Sequence, residues 1–195
     1  MSHIKIAIFA SGSGTNAENI VKYFINSTIC KVELILSNKN NAYVLERARK
    51  LSVDTMVFTV NELNEGLIID DFLSEKGIDF IVLAGFLLKI PQRLLEKYPS
   101  KIINIHPALL PAYGGKGMYG NNVHKAVIDA GEIESGITIH LVDEHYDNGS
   151  VIFQAKCSIS KDDTPETLAI NIHLLEQTHF PRVIEDYVRK IFICK

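Results

Sequence analysis

The chain has 195 residues, 47% of them hydrophobic, and a formal net charge of −3. That length supports a substantial core in one large domain or two small ones, and the mild acidity lacks the basic excess that nucleic-acid or membrane-surface binding calls for. Cys30, Cys157 and Cys194 are far apart, form no C-x-x-C pair and are odd in number, so no disulfide framework is expected and the compartment reads as reducing and cytoplasmic.

In chain order the pattern alternates strand and helix. Ile4–Phe9 is apolar but short and interrupted by Lys5, so it reads as a buried strand and not as a signal peptide. Further strands are predicted at Val32–Leu36, Asp54–Phe58, Phe80–Leu83 and Lys101–Ile105, rich in Ile, Val, Leu and Phe as strands covered on both faces should be. Helices are predicted between them at Asn16–Ile25, Ala42–Leu51, Glu62–Lys76 and Pro91–Lys97. In the second of these, Val44, Leu45, Ala48 and Leu51 share one face, and Glu46, Arg47 and Lys50 the other. Strands alternating with helices imply a parallel sheet with right-handed crossovers.

After residue 105 the rhythm changes. Residues 106–121, with Pro107, Pro111, Gly114, Gly115, Gly117 and Gly120, read as one long loop, and loops of that length are usually functional or mobile. A helix at Val123–Ala130 follows, then strands at Gly136–Val142 and Ser150–Ile159. The turn-forming Asp147-Asn148-Gly149 between them suggests antiparallel pairing. A final helix is predicted over Thr164–Ile191, capped by Thr164-Pro165 and carrying a potential break at Pro181. The expected fold is therefore α/β: a Rossmann-like, doubly wound, mainly parallel sheet with an antiparallel C-terminal part and a long C-terminal helix. No run approaches the length of a membrane span.

Three places suggest chemistry. Ser11-Gly12-Ser13-Gly14-Thr15-Asn16 joins the first strand to the first helix. Its glycines allow close backbone approach to an anion, and the helix start adds a favourable dipole. It matches neither a P-loop nor a full dinucleotide fingerprint, since Glu18 stands near the place of a third glycine. The alternative is a tight turn without a ligand.

Asn104-Ile105-His106-Pro107 ends a strand, so alternation sends Asn104 and His106 to one side. An amide donor beside an imidazole suits a carbonyl becoming an oxyanion. A turn-capping asparagine beside a satisfied loop histidine is the plainer reading of the triplet alone. Asp147 is placed to orient His106 or relay a proton, although Asp is also favoured in such turns for backbone reasons. His124 and His140 are ambiguous. With His106 they lie on separate elements and have no metal-ligand spacing, so no metal is expected.

Taken together, Ser11–Asn16, Ser37-Asn38-Lys39, Leu83-Ala84-Gly85-Phe86, the run Asn104–Pro111, Gly136–His140 and Asp147-Asn148-Gly149 are similar to the motifs of the glycinamide ribonucleotide formyltransferase family, folate-dependent enzymes of purine synthesis. The resemblance implies a single formyltransferase domain over 1–195, with a phosphate-binding half at 1–100 and a catalytic and folate-binding half at 101–195. It implies transfer of a formyl group from 10-formyltetrahydrofolate, as cosubstrate, to the amine of 5-phosphoribosylglycinamide. By motif, Asn104 and His106 would stabilise the oxyanion, and Asp147 would hold a proton-shuttling water and polarise His106. Gly14, Thr15 and Asn16 would hold the phosphate and Glu176 the ribose hydroxyls. Leu87, Leu88, Lys89 and Ile90, with Leu141, Val142, Asp143, Asn104 and Asp147, would take the folate. His124 and His140 would support the site from behind.

The implied partners are these two small molecules, with no nucleic acid or membrane, and the implied assembly is a monomer or weak homodimer. Two departures stand out. Leu87-Leu88-Lys89-Ile90 replaces the frequent Met-Arg-Ile, removing an arginine that could meet the folate tail, and the 114–120 loop is longer than the common form. A formyltetrahydrofolate deformylase, in which water replaces the amine, and a non-catalytic nucleotide-binding module are the alternatives. The former usually carries an extra amino-terminal domain, and the latter leaves Asn104, His106 and Asp147 unexplained. A methionyl-tRNA formyltransferase would be expected to carry a further carboxy-terminal domain.

Overall fold

The computed structural model describes residues 3–193; Cys194 lies outside them. Seven strands form one sheet in the order β3-β2-β1-β4-β5-β6-β7. The strands are β1 (Ile4–Phe9), β2 (Cys30–Ser37), β3 (Asp54–Val57), β4 (Phe80–Leu83), β5 (Ile102–His106), β6 (Glu134–Leu141) and β7 (Val151–Ser158). The first five are parallel, β6 is antiparallel to β5, and β7 is antiparallel to β6, so β6 alone is reversed.

Strand alternation sorts the core into two layers. Ile6, Ile8, Phe80, Val82, Ile103 and Ile105 pack with α1 (Thr15–Phe24), α2 (Tyr43–Lys50), α6 (Asn121–Asp129) and α7 (Pro165–Val188). Ala7, Phe9, Leu34, Leu36, Ile81 and Leu83 pack with α3 (Val60–Glu65), α4 (Leu67–Glu75) and α5 (Gln92–Lys97). Helices thus cover both faces, which is why the parallel strands are apolar throughout.

Two predicted elements differ from the structure. The single helix over Glu62–Lys76 is two helices. Gly66 closes α3 and opens α4 at φ 90°, a left-handed conformation that ends a helix and that glycine adopts without a Cβ penalty. Pro181, in contrast, does not break α7, which runs on to Val188 and ends in a π-helical turn at Arg189–Ile193. Pro181 is itself buried, so packing holds the helix together where propensity would interrupt it.

Two features of the sheet position the site. The chain leaves β1 towards β2 on one side and returns to β4 on the other, so the carboxyl ends of β1 and β4 form a topological switch point, the usual ligand crevice of open α/β sheets. On the antiparallel side, Asn104 pairs with His140 and His106 with Thr138.

The β6–β7 ladder leaves no room at Gly136, where an added Cβ would lie 2.0 Å from the Ala155 carbonyl oxygen and 2.7 Å from Leu109 Cδ2. Gly136→Ala should therefore lower stability by about 1–3 kcal/mol, as overpacking does. The readout is a lower urea midpoint at unchanged slope; an unchanged midpoint would mean that these strands do not pair in this register.

Candidate active site

The crevice at the switch point is a cleft of about 810 Å³, within the size range of small-molecule sites. Among the residues singled out in the sequence, Gly14, Thr15, Asn16, Glu176, Leu87, Leu88, Lys89, Ile90, Asn104, His106, His124, His140, Val142, Asp143 and Asp147 all line it. Leu141 does not; it lines a shallower groove beside β7 and α7 and reaches the site only through its carbonyl.

The reactive end is built around Asp147, whose side chain is 12% exposed. Its Oδ2 accepts from the Gly115 N–H at 2.9 Å and lies 3.5 Å from His106 Nδ1. Its Oδ1 lies 3.5 Å from Asn104 Nδ2 and 3.7 Å from His140 Nε2. Carbonyl partners fix both imidazoles. A carbonyl can only accept, so His140 Nδ1–H donates to the Leu141 oxygen at 2.8 Å, and an amide nitrogen can only donate, so Nε2 accepts from Asn104 Nδ2 at 3.1 Å. By the same reasoning His106 Nε2–H donates to the Tyr113 oxygen at 2.8 Å, and Nδ1 is the nitrogen turned to Asp147. One N–H of Asn104 is thus anchored by His140. The other meets Asp147 only at the limit of a hydrogen bond and is the donor left for an incoming oxygen.

Burial pushes the His106 pKa down, against the upward pull of the Asp147 charge and the Tyr113 bond. Burial also pushes Asp147 up, but the neighbouring His140 imidazole, the His106 charge and the Gly115 N–H outweigh it and hold the carboxyl below the usual aspartate value. At neutral pH the pair is therefore a carboxylate beside a neutral imidazole whose Nδ1 accepts a proton and whose charged form Asp147 would stabilise. His124 is buried under the cleft and its pKa is likewise pushed down by burial, with Glu176 opposing; among the described residues its Nδ1 has no hydrogen-bond partner.

At the other end, Gly14 precedes α1 at φ 76°, and its Cα packs so closely on α2 that a Cβ would lie 2.4 Å from Val44 Cγ2. The loop carbonyls are turned away from the cleft: Val44 N–H donates to the Gly12 oxygen at 3.1 Å and Arg47 Nε to the Ser13 oxygen at 2.9 Å. Asn16 Nδ2 donates to Glu176 Oε2 at 2.9 Å, which His173 Nδ1 also approaches at 3.3 Å. Glu176 Oε1 makes no hydrogen bond among the described residues and is open to a hydroxyl donor.

Sequence reasoning missed the supports. Thr138, fully buried, accepts from Leu110 N–H at 2.9 Å and from Gln154 Nε2 at 2.9 Å, and donates to the Ala108 oxygen at 2.7 Å, pinning the stretch just after His106. Its place two residues before His140 on one strand was the available signal. Tyr113 and Gly115 act through backbone groups, for which side-chain identity gives no sign. No group of three or more His, Cys, Asp and Glu that could hold a metal occurs among the described residues, and no helix among them is long and apolar enough to cross a membrane.

The family described as formyl transferase matches residues 4–184. A chloroplastic phosphoribosylglycinamide formyltransferase from Arabidopsis thaliana is 42% identical over 171 residues, 85% of this chain; the chain spans 59% of that relative's length. Phosphoribosylglycinamide formyltransferase from Haemophilus influenzae is 34% identical over 93% of this chain and 85% of its own. The crystal structure of glycinamide ribonucleotide transformylase 1 from Geobacillus kaustophilus superposes with a TM-score of 0.87 at 34% identity, covering 96% of this chain and all of that one.

The buried pair generates a titration prediction. His106 should lose its proton below 6.5, the ordinary histidine value. A histidine whose folded pKa is depressed favours the folded state above that value, and this contribution fades as pH falls below about 6.5 towards the folded pKa. Asp147→Asn removes the main opposing charge, so the His106 pKa should fall further. Histidine NMR titration of both proteins decides; a rise on substitution would contradict the assigned geometry.

Proposed function

The chain belongs to the formyl transferase family, and we infer that it transfers a formyl group from 10-formyltetrahydrofolate to the amine of 5-phosphoribosylglycinamide in purine synthesis. The observation that carries this reading is the convergence of Asn104 Nδ2 and His106 Nδ1 on one buried carboxylate, each 3.5 Å from an Asp147 oxygen, in a cleft that also holds an anion loop.

In this mechanism the amine nitrogen bonds to the formyl carbon and the carbonyl π pair moves to oxygen. The free N–H of Asn104 donates to that oxygen as it gains charge, a preorganised donor acting where charge develops. The proton lost by the amine passes to His106 Nδ1, directly or through water, and Asp147 stabilises the imidazolium. The tetrahedral intermediate collapses with cleavage of the bond to the folate nitrogen, which takes a proton and leaves as tetrahydrofolate. The Nε2–H bond to Tyr113 holds the ring with Nδ1 facing Asp147 throughout.

The N–H groups of Gly14, Thr15 and Asn16 would cradle the phosphate at the start of α1, and Glu176 Oε1 would accept from the ribose. Leu87–Ile90 and Val142–Asp143 would flank the pteridine, with Leu141 contributing only main-chain groups. Lys89 is the exposed cation in the segment that lacks the frequent arginine.

The test is an assay with 10-formyltetrahydrofolate in the presence and absence of 5-phosphoribosylglycinamide. Tetrahydrofolate should form only with the amine, mole for mole with formylated product, and His106→Ala should lower kcat by about 10²–10⁴-fold. Formate release without the amine would make the chain a deformylase. No consumption under either condition would leave a binding module.

A further inference from the structure

The anion loop contains one side chain that faces neither the anion nor solvent. Ser11, 3% exposed, follows β1 by two residues. Its hydroxyl donates to Asn38 Oδ1 at 2.7 Å and accepts from the Leu87 N–H at 3.1 Å, while its own N–H donates to the Gly85 oxygen at 3.0 Å. A hydroxyl has one proton, and Asn38 takes it, so a lone pair is left for Leu87.

The segment from Gly85 to Ile90 lies between β4 and α5 and belongs to neither. Among the described residues, the two bonds to Ser11 are the only hydrogen bonds made by its backbone; the apolar anchors Phe86 and Ile90 supply the rest of its hold. The phosphate face of the loop has separate supports, namely the bonds from Val44 and Arg47 and the packing of Val44 on Gly14.

We propose that Ser11, a residue of the anion loop, is a positioning residue for the opposite half-site: through the Leu87 N–H it sets the Leu87–Ile90 wall against which the pteridine lies. The inference rests on the functional reading above, and it makes a counterintuitive claim, that a change in the phosphate loop weakens folate and spares the ribonucleotide.

Calorimetric titration of the full chain tests it, with 5-formyltetrahydrofolate as a folate probe and 5-phosphoribosylglycinamide as the ribonucleotide. Ser11→Ala should raise the folate Kd about tenfold, the loss expected from one hydrogen bond with its partner left unpaired, and leave the ribonucleotide Kd within about twofold. Asn38→Leu should give a smaller loss of the same kind. Adding Asn38→Leu to Ser11→Ala should cost little more than Ser11→Ala alone, because Asn38 acts through the hydroxyl. Retained ribonucleotide affinity also certifies that the variant loop is folded. Equal loss of both ligands, or folate binding unchanged by Ser11→Ala, would overturn the proposal. A wild-type chain that binds no folate would instead overturn the functional reading on which it rests.

Discussion

The site depends on one buried charge. An ionised carboxylate largely removed from water, as the 12%-exposed Asp147 side chain is, carries a desolvation cost, and a fold tolerates it only with compensating neighbours. Asp147 has neighbours from three segments: the glycine-containing loop, whose Gly115 N–H donates to it, β5 with His106 and Asn104, and β6 with His140. The same partners make the carboxylate specific. Asp147 stands in a left-handed turn at φ 54°, and the turn is closed by Gly149, where a Cβ would lie 1.8 Å from the Leu141 oxygen. That oxygen belongs to the residue whose carbonyl fixes the His140 tautomer. Turn, tautomer and amide orientation are thus one connected arrangement, and it is the arrangement that leaves an Asn104 N–H and a His106 lone pair unspent.

Topology then brings the other end of the cleft within reach of that charge. The anion loop follows β1, the 85–90 segment follows β4, and Asn104 and His106 end β5, three neighbouring parallel strands with carboxyl ends on one edge. The reversal of β6 is what supplies His140 and Thr138 opposite Asn104 and His106, since a further parallel strand would present a different register to β5. The long helix α7 crosses back to place Glu176 on Asn16, so residues 160 positions apart share one side of the cleft.

Much of this was legible in the sequence. Parallel strands buried on both faces announce themselves as short aliphatic runs, and Asn104 and His106 share a face for the simple reason that strand alternation has a period of two. Proline and glycine misled in opposite senses. Gly66 split a helix that periodicity ran together, because a single left-handed residue costs glycine little, whereas Pro181 failed to split α7 because the tertiary contacts of its buried surroundings outweigh one lost hydrogen bond. Tyr113, Gly115 and Leu141 enter the site through main-chain atoms, for which side-chain identity gives no sign, and Thr138 is signalled only by its place two residues before His140. The side chains that line the cleft were therefore readable, and the main-chain groups that hold them were not.

The central claim is that Asn104 acts on the transition state and not on ground-state binding. It is tested by measuring kcat and the folate Kd for Asn104→Ala and Asn104→Asp. Loss of one oxyanion donor predicts that alanine lowers kcat by about 10²–10³-fold while Kd changes far less, and that an ionised aspartate is at least as damaging because it opposes the developing charge. A Kd that collapses while kcat at saturation survives would make Asn104 a binding residue and contradict the account.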